Sequence, residues 1–563
     1  MKFKKLVEYL EDLEKVSSGN AIRAILADLF KKTNKKEIDK VVYMILGRIA
    51  PEYSSTVIGM ADKRVIKALA MAVNKDEAVV KKINKKTGDV GLSAYQVVKG
   101  KGGTLTVNDV FNELNKIARV SGTGSQGIKL RRLAGLIVKS SNKESKYIVR
   151  VVLGTLRLGV ATMSVLDGLS IAFTGSKGAR ETIEYAYNLC TDSGFVAKVL
   201  ATKGVKVLKK VGVKVGSPIK MMLCQRIKSL NELERNIKGK MVVEEKYDGE
   251  RLQIHFDGKN VKIFSRRLDD ITKQFPDVVR VVKKQLKGLN FIVEAEVVAC
   301  KKGVLQPFQL LMRRRRKYDV EKYVNQIPVC VFLFDLLYLN NRTYINKKYT
   351  ERRKALERIT KESVNLKLAL QVQTDNLDMV TKFFNKSLKR YCEGIIIKSM
   401  AEDSVYRPGA RGKLWIKWKK DYVKGLIDTV DVVVVGAFFG KGRRKGKYGA
   451  LLCAIYNFKL DKFETITKLG TGFTDKVLAE IPGKFSKYVV KSKPKNLSSK
   501  MKADVWFKPE VVVEIVGAEL TKSLLHTAGA GYALRFPRFI KWRLDKGPKD
   551  TTSLKEIKKL IKN

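Results

Sequence analysis

The stretch Met241-Val242-Val243-Glu244-Glu245-Lys246-Tyr247-Asp248-Gly249-Glu250-Arg251-Leu252-Gln253-Ile254-His255-Phe256 decides how this chain is read. An apolar run leads into Lys246, a Tyr-Asp-Gly step follows, and residues 251–256 alternate apolar and polar. The lysine is therefore expected at the bend between two strands. An amine beside carboxylate, glycine and arginine is a setting for attack on a nucleotide phosphate. Lysine with its ordinary pKa of about 10.4 offers little free amine at neutral pH, so such a nucleophile needs desolvation or neighbouring cations. Alone, the Lys-x-Asp-Gly pattern also fits a turn ending an edge strand.

Working outward, the chain repeats strands that end in charged groups. Val261-Lys262-Ile263-Phe264 runs into Ser265-Arg266-Arg267, Phe291-Ile292-Val293 into Glu294-Ala295-Glu296, and Val329-Cys330-Val331-Phe332-Leu333-Phe334 into Asp335. Glu393-Gly394-Ile395-Ile396-Ile397-Lys398 and Lys413-Leu414-Trp415-Ile416-Lys417-Trp418-Lys419 follow. Five such segments point to a pocket lined from a sheet rather than to solvated faces. Lys417 and Lys419 alternate onto one face of their strand, so both ammonium groups can meet the same phosphates.

In this order the motifs resemble the ATP-dependent DNA ligases of archaeal and eukaryotic replicative type, within the covalent nucleotidyltransferase superfamily that includes mRNA-capping enzymes. The resemblance covers nearly the whole chain. It extends to the linker-like Gly216-Ser217-Pro218-Ile219-Lys220-Met221-Met222-Leu223 and to Leu534-Arg535-Phe536-Pro537-Arg538-Phe539 with Arg543-Leu544-Asp545-Lys546. It implies nick sealing in duplex DNA, with roles in replication, repair and recombination. The steps would be adenylation of Lys246 by ATP, transfer of AMP to the nick's 5′-phosphate, and attack by the 3′-hydroxyl with release of AMP. Each is an in-line displacement at phosphorus, catalysed by positioning and electrostatics.

Carried over residue by residue, the resemblance makes Lys417 and Lys419 stabilisers of the charged transition state that also favour the neutral amine of Lys246. Phe334 would stack on adenine and Glu244 would accept from its amino group. Arg251 and Arg266 would hold ribose, phosphate or the nick's 5′-phosphate, and Arg411 belongs to the same nucleotide set. Glu296, at the nucleotide too, and Glu393 are hard oxygen donors suited to Mg²⁺, with Mn²⁺ as the alternative. Arg543 and Lys546 would orient the departing pyrophosphate and then move away, a closure of the kind that gates many transferases. For each residue the competing reading is core packing or a surface ion pair.

Composition sets limits. The 563 residues carry 113 Lys plus Arg against 56 Asp plus Glu, a net charge of +57, which calls for a polyanionic partner. The longest strongly apolar stretch, residues 432–439, is far short of the ~20 needed to span a bilayer. Met1-Lys2-Phe3-Lys4-Lys5-Leu6 turns acidic and amphipathic without the apolar core of a signal peptide, so an intracellular location, cytoplasm or nucleoid, is expected. Six cysteines without Cys-x-x-Cys spacing argue for reduced thiols and against a zinc module, and so against the NAD-dependent ligases, which carry one.

Texture divides the chain in three. Residues 1–215 hold one proline, Pro51, and apolar residues at helical spacing (Leu6, Leu10, Leu13; Val110, Phe111, Leu114, Ile117), the mark of an all-α domain. By resemblance this domain binds DNA through Lys129, Arg131, Arg132 and Arg157, near glycine-rich helix ends. Ordinary solvated basic helices are the other reading. Residues 216–427 alternate strands and short helices, an α+β nucleotidyltransferase (adenylation) domain. Residues 428–563 read as a small β-barrel, by resemblance an OB-fold. A monomer is expected.

Two departures stand out. The family usually has Asp two residues before the metal-binding glutamate; Glu294 stands here, and its extra methylene is expected to shift a ribose or sugar contact. The sliding-clamp motif, a pair of aromatics ahead of Leu105-Thr106-Val107, is not evident in Tyr95-Gln96-Val97-Val98-Lys99-Gly100. An RNA ligase or capping guanylyltransferase would share the lysine motif and the Arg-x-Asp-Lys tail, but the helical domain argues against both. A catalytically inactive nick-holding protein would need only the charge, and the intact lysines and carboxylates argue against it.

Overall fold

Apolar side chains at helical spacing build the region up to Leu208, where helices run from Phe3–Lys15 to Ser193–Leu208. Leu6, Leu10 and Leu13 are buried on one stripe of the first helix, and Val110, Leu114 and Ile117 on one stripe of Val107–Arg119. Thr106 with Asp109 and Ser141 with Glu144 close capping boxes that start Val107–Arg119 and Asn142–Val152. The computed structural model describes the chain apart from residues 228, 302, 315–319, 420–428, 441–446, 518 and 563, and apart from the side chains of 519 and 560–562.

Past residue 216 the period changes from helix to strand. The strands are β1 (Leu223–Arg226), β2 (Met241–Lys246), β3 (Glu250–Phe256), β4 (Val261–Ser265), β5 (Phe291–Lys301), β6 (Val304–Leu305), β7 (Val329–Leu339), β8 (Arg342–Thr343), β9 (Leu366–Leu368), β10 (Gln371–Thr374), β11 (Gly394–Ser399) and β12 (Arg411–Lys419). Among the described residues one sheet runs β1-β12-β11-β2-β10. The other runs β4-β3-β5-β7-β8, with β6 beside β5 and β9 beside β7.

Alternation along these strands separates core from site. In the first sheet Met241, Val243, Ile395, Ile397, Ile416 and Trp418 pack with Leu233, Val380 and Phe384 of helices Leu230–Asn236 and Leu377–Lys389. Glu244, Lys246, Ile396, Lys398, Lys417 and Lys419 therefore share the opposite face. In the second sheet Leu252, Ile254, Val293, Ala295 and Val297 enter a core of their own, which leaves Arg251, Gln253, Glu294 and Glu296 on the other face.

Helices and sheets join through Leu189, which packs with Ile219, Met222 and Trp415, and through Asn188 Nδ2, which donates to the Pro408 carbonyl at 3.0 Å. The chain divides into two compact units, Met1–Lys419 and Lys420–Asn563. The expected division at 427/428 lies outside the described residues.

In the second unit Val430–Phe439 pairs antiparallel with both Tyr448–Asn457 and Val512–Val516, and Val512–Val516 pairs with Arg538–Arg543. One of its apolar clusters includes Leu478, Ile481 and Phe485 of helix Asp475–Phe485; a second gathers Val433, Val435 and Leu452. Helical, mixed and strand-rich regions thus follow one another as the texture implied. All six cysteines are free, and among the described residues no helix is long and apolar enough to cross a membrane.

Candidate active site

A cavity of about 280 Å³ in the first unit is lined by Glu244, Lys246, Arg251, Arg266, Glu296, Phe334, Glu393, Arg411, Lys417 and Lys419. Every nucleotide and metal candidate named from the central region meets here. Cys224, Lys398 and Trp415 line it too, and their residue types alone did not mark them for it.

Strand register explains how the charges converge. Gly394 lies opposite Lys246 on one side and opposite Lys419 on the other, so both lysines reach the residue before it. Lys246 Nζ and Lys419 Nζ each stand 2.6 Å from Glu393 Oε2. Burial pushes the Glu393 carboxyl up, but the two ammonium groups overrule it and hold its pKa down at about 2. Glu296 goes the other way: burial, against the pull of Lys246 and Arg251, lifts it to about 7. Asp248 rises to about 6 through burial and the nearby Glu393 charge.

For Lys246 itself the balance corrects the expectation. Burial lowers its pKa, yet Glu393 and Glu296 outweigh burial, and the amine sits above its ordinary value. The cations expected to depress it are engaged differently. Lys419 is paired with Glu393. Lys417 is itself pushed down, by burial first and also by repulsion from Lys246 and Lys419. The nucleophile candidate is held as an ammonium in this state.

The bend that presents Lys246 is fixed by packing. The Tyr247 ring stacks on Phe332 at 3.9 Å and 12°, and its hydroxyl accepts from Leu370 N at 3.1 Å. At Gly249 a Cβ would lie 2.3 Å from the Val297 carbonyl oxygen, so the turn needs glycine for close approach to β5.

At the far end of the cavity Glu244 is buried and paired with Lys398, while Phe334 faces Trp415 edge-on at 6.2 Å. The Arg251 guanidinium lies against both rings, 5.3 and 5.4 Å from their centroids. Glu294 is fully buried, accepting from Arg251 Nη2 at 2.7 Å, the Tyr406 hydroxyl at 3.0 Å and Gln253 Nε2 at 3.3 Å. Its side chain is engaged by Arg251, Tyr406 and Gln253 of the protein itself.

In the helical region Arg131 and Arg132 are exposed, the latter paired with Glu113 at 2.7 Å. Arg157 is exposed and bridged to Asp89 at 3.0 Å. Lys129 departs from the surface set. It is 7 % exposed and donates to the Ile58 carbonyl at 3.0 Å, because its place on helix Ser125–Val138 turns it inward. In the second unit Arg543 lies 3.1 Å from Asp431 and 2.6 Å from Asp545, and Lys546 lies 2.6 Å from Asp431.

Family models agree along the chain: "DNA ligase N terminus" matches residues 2–170, "ATP dependent DNA ligase domain" 221–419, and "ATP dependent DNA ligase C terminal region" 444–546. DNA ligase 1 of Methanosarcina barkeri is 44% identical over 541 residues, covering 93% of this chain and 98% of that protein. DNA ligase of Staphylothermus marinus is 42% identical over 589 residues, covering 100% and 99%. A solved structure titled "Pmar-Lig_Pre." shares the fold at a TM-score of 0.58 and 18% identity, covering 96% of this chain and 99% of that one. With family models spanning most of its length and full-length relatives above 40% identity, this chain belongs to the ATP-dependent DNA ligases of the archaeal type.

Proposed function

We propose that this ligase seals 5′-phosphate/3′-hydroxyl nicks through a covalent AMP adduct on Lys246. The observation that carries the reading is the Lys246–Glu393–Lys419 cluster, with both ammonium groups 2.6 Å from one carboxylate oxygen, in a cavity that also holds Phe334 and Glu244. In the first step the Lys246 amine loses a proton and bonds the α-phosphorus of ATP, the bond to the β-phosphate oxygen breaks, and pyrophosphate leaves. AMP then passes to the nick's 5′-phosphate, and the 3′-hydroxyl displaces it. Whatever engages Glu393 releases Lys246 from the carboxylate that keeps it protonated; Lys417 and Lys419 then favour the free amine and stabilise phosphate charge.

Phe334 stacks on adenine in this reading and Glu244 accepts from its amino group, while Arg251, Arg266 and Arg411 serve ribose and phosphates. Glu296 and Glu393 fit a small hard cation by donor type. They would hold Mg²⁺, or Mn²⁺ in its place, where it supplies positive charge to the phosphates of ATP. Arg131, Arg132 and Arg157 are taken as DNA-backbone contacts, and Arg543 with Lys546 as the pyrophosphate pair. The domains are read as 1–215, 216–427 and 428–563, the last as an OB-fold, in a monomer acting on nucleoid DNA without the usual clamp motif.

Lys246→Ala tests the core of this. Incubated with labelled ATP and Mg²⁺ and run on a denaturing gel, the variant should take up no label, yet keep the wild-type unfolding temperature and still join a nick that already carries 5′-AMP. Labelled protein from that variant would sink the assignment.

A further inference from the structure

Glu244 differs from every other carboxylate at the cavity in how completely it is held. It is 2 % exposed. Lys398 Nζ, on the neighbouring strand β11 and on the same face, lies 2.8 Å from both of its oxygens and donates further to the Phe334 carbonyl at 3.1 Å. That ammonium is thereby turned into the carboxylate and the Phe334 carbonyl, to which it donates two hydrogen bonds. Its charge is also ringed by the faces of Tyr349 and Trp415 at 4.6 Å and of Phe334 at 5.2 Å. The Tyr349 hydroxyl, from helix Tyr349–Ile359, donates to Glu244 Oε1 and also sits 2.8 Å from Gln371 Oε1. An ionised carboxylate has about four acceptor positions. Lys398 and Tyr349 fill both positions on Oε1, and the open acceptor capacity belongs to Oε2.

A buried carboxylate stays ionised only while a cation pairs with it; stripped of the cation it takes up a proton instead. The two forms read a purine differently. The carboxylate accepts only, so it welcomes the amino group at position 6 of adenine and repels the oxygen that guanine carries there. The acid has an O–H and can donate to that oxygen. Lys398, turned toward Glu244 and the Phe334 carbonyl, is not directed at that oxygen.

We propose that Lys398 and Tyr349 are positioning residues that set the purine specificity of the nucleotide site, by keeping Glu244 an acceptor-only group with its open capacity on Oε2. This rests on the reading of Glu244 as the residue that meets the base. Sites built to bond one substrate group reject the analogue lacking it far more strongly than apolar pockets reject a change of size. The selectivity therefore resides in how Lys398 and Tyr349 hold one buried side chain.

The test compares self-labelling with α-labelled ATP and GTP across variants. Lys398→Met should lower the ATP-over-GTP preference roughly tenfold or more, while Lys398→Arg restores most of it. If Lys398→Met loses labelling by both nucleotides in the same proportion, Lys398 is structural and the inference is overturned. Glu244→Gln, which always carries both donor and acceptor, separates the two layers. Collapse of the preference there with no change in Lys398→Met removes the role of Lys398 and leaves base reading intact. An unchanged preference in Glu244→Gln removes base reading itself. Sealing of a pre-adenylated nick reports folding. Should Lys398→Met fail that control, Tyr349→Phe decides: it deletes one donor to Oε1, and a drop in preference of about threefold is expected. An unaltered ratio in Tyr349→Phe would overturn the inference.

Discussion

Gly394 is the least conspicuous residue in the cluster around Lys246, and its replacement by alanine should be among the most damaging changes outside the charged groups. Its φ of +153° lies in a region that L side chains rarely adopt, and a Cβ would stand 2.2 Å from the Trp418 carbonyl oxygen, where ordinary contact begins near 3.4 Å. The atoms it would meet are β12 backbone, with no flexible side chain to yield, so β11 must move from β12 by about 1 Å, toward β2. Glu393 moves with it, and the two 2.6 Å contacts to Lys246 and Lys419 cannot both survive. Overpacking of this kind costs about 1–3 kcal/mol in stability. A displacement of about 1 Å at reacting groups costs on the order of a hundredfold in rate. Single-turnover formation of labelled enzyme from ATP should fall by that factor in Gly394→Ala at a temperature well below its unfolding midpoint. Sealing of a pre-adenylated nick, which does not need the attacking amine, should fall less. Wild-type labelling by Gly394→Ala would refute the claim that register across β12, β11 and β2 sets the geometry at Lys246.

Two further expectations come from other parts of the molecule. Glu14 accepts from Tyr147, Arg150 and Lys146 and so ties Phe3–Lys15 to Asn142–Val152; burial pushes its carboxyl up, but Arg150 and Lys146 outweigh burial and bring it to about 2. A depressed carboxylate contributes stability above its unfolded value of about 4.5 and loses it as pH falls toward 2. Glu14→Gln should therefore cost about 1–2 kcal/mol at pH 7, after allowance for solvent screening of this partly exposed group. The gap to wild type should close across that window in thermal melts, and a pH-independent gap would contradict the pairing. In the second unit, Arg543→Ala combined with Lys546→Ala should abolish labelling by ATP while leaving a pre-adenylated nick sealable, measured on gels with the two substrates in parallel. Equal loss on both would move these residues from pyrophosphate to DNA or to the final attack.

What the sequence disclosed followed from local pattern. Period-two alternation placed Lys417 and Lys419 on one face and Lys246 at a strand end, and helical spacing placed Leu6, Leu10 and Leu13 in a core; each depends on near neighbours alone. What it concealed depends on pairing between distant segments. Lys398 and Glu244 are 154 residues apart and meet only through the strand order β12-β11-β2. Tyr349, on a helix outside that sheet, gave no motif at all. The inward turn of Lys129 and the commitment of Glu294 to Arg251 were hidden because burial is a property of the assembled fold. The raised pKa of Lys246 was hidden for the same reason, since residue types name the cations but do not rank their distances against those of Glu393 and Glu296.

The ion pair between Lys246 and Glu393 has a consequence for the enzyme at rest. A lysine amine with a depressed pKa would be open to small electrophiles in its surroundings: carbon dioxide and aldehydes would mask it reversibly, and acyl phosphates would block it as a stable amide. Held as an ammonium against a carboxylate of pKa about 2, Lys246 has no lone pair to offer them. In the proposed reaction the amine becomes free when an incoming group draws Glu393 away, and such groups arrive with the nucleotide. In the proposed reaction the fold thereby couples release of the Lys246 amine to the arrival of the nucleotide, and the nucleotide-free molecule is chemically quiet.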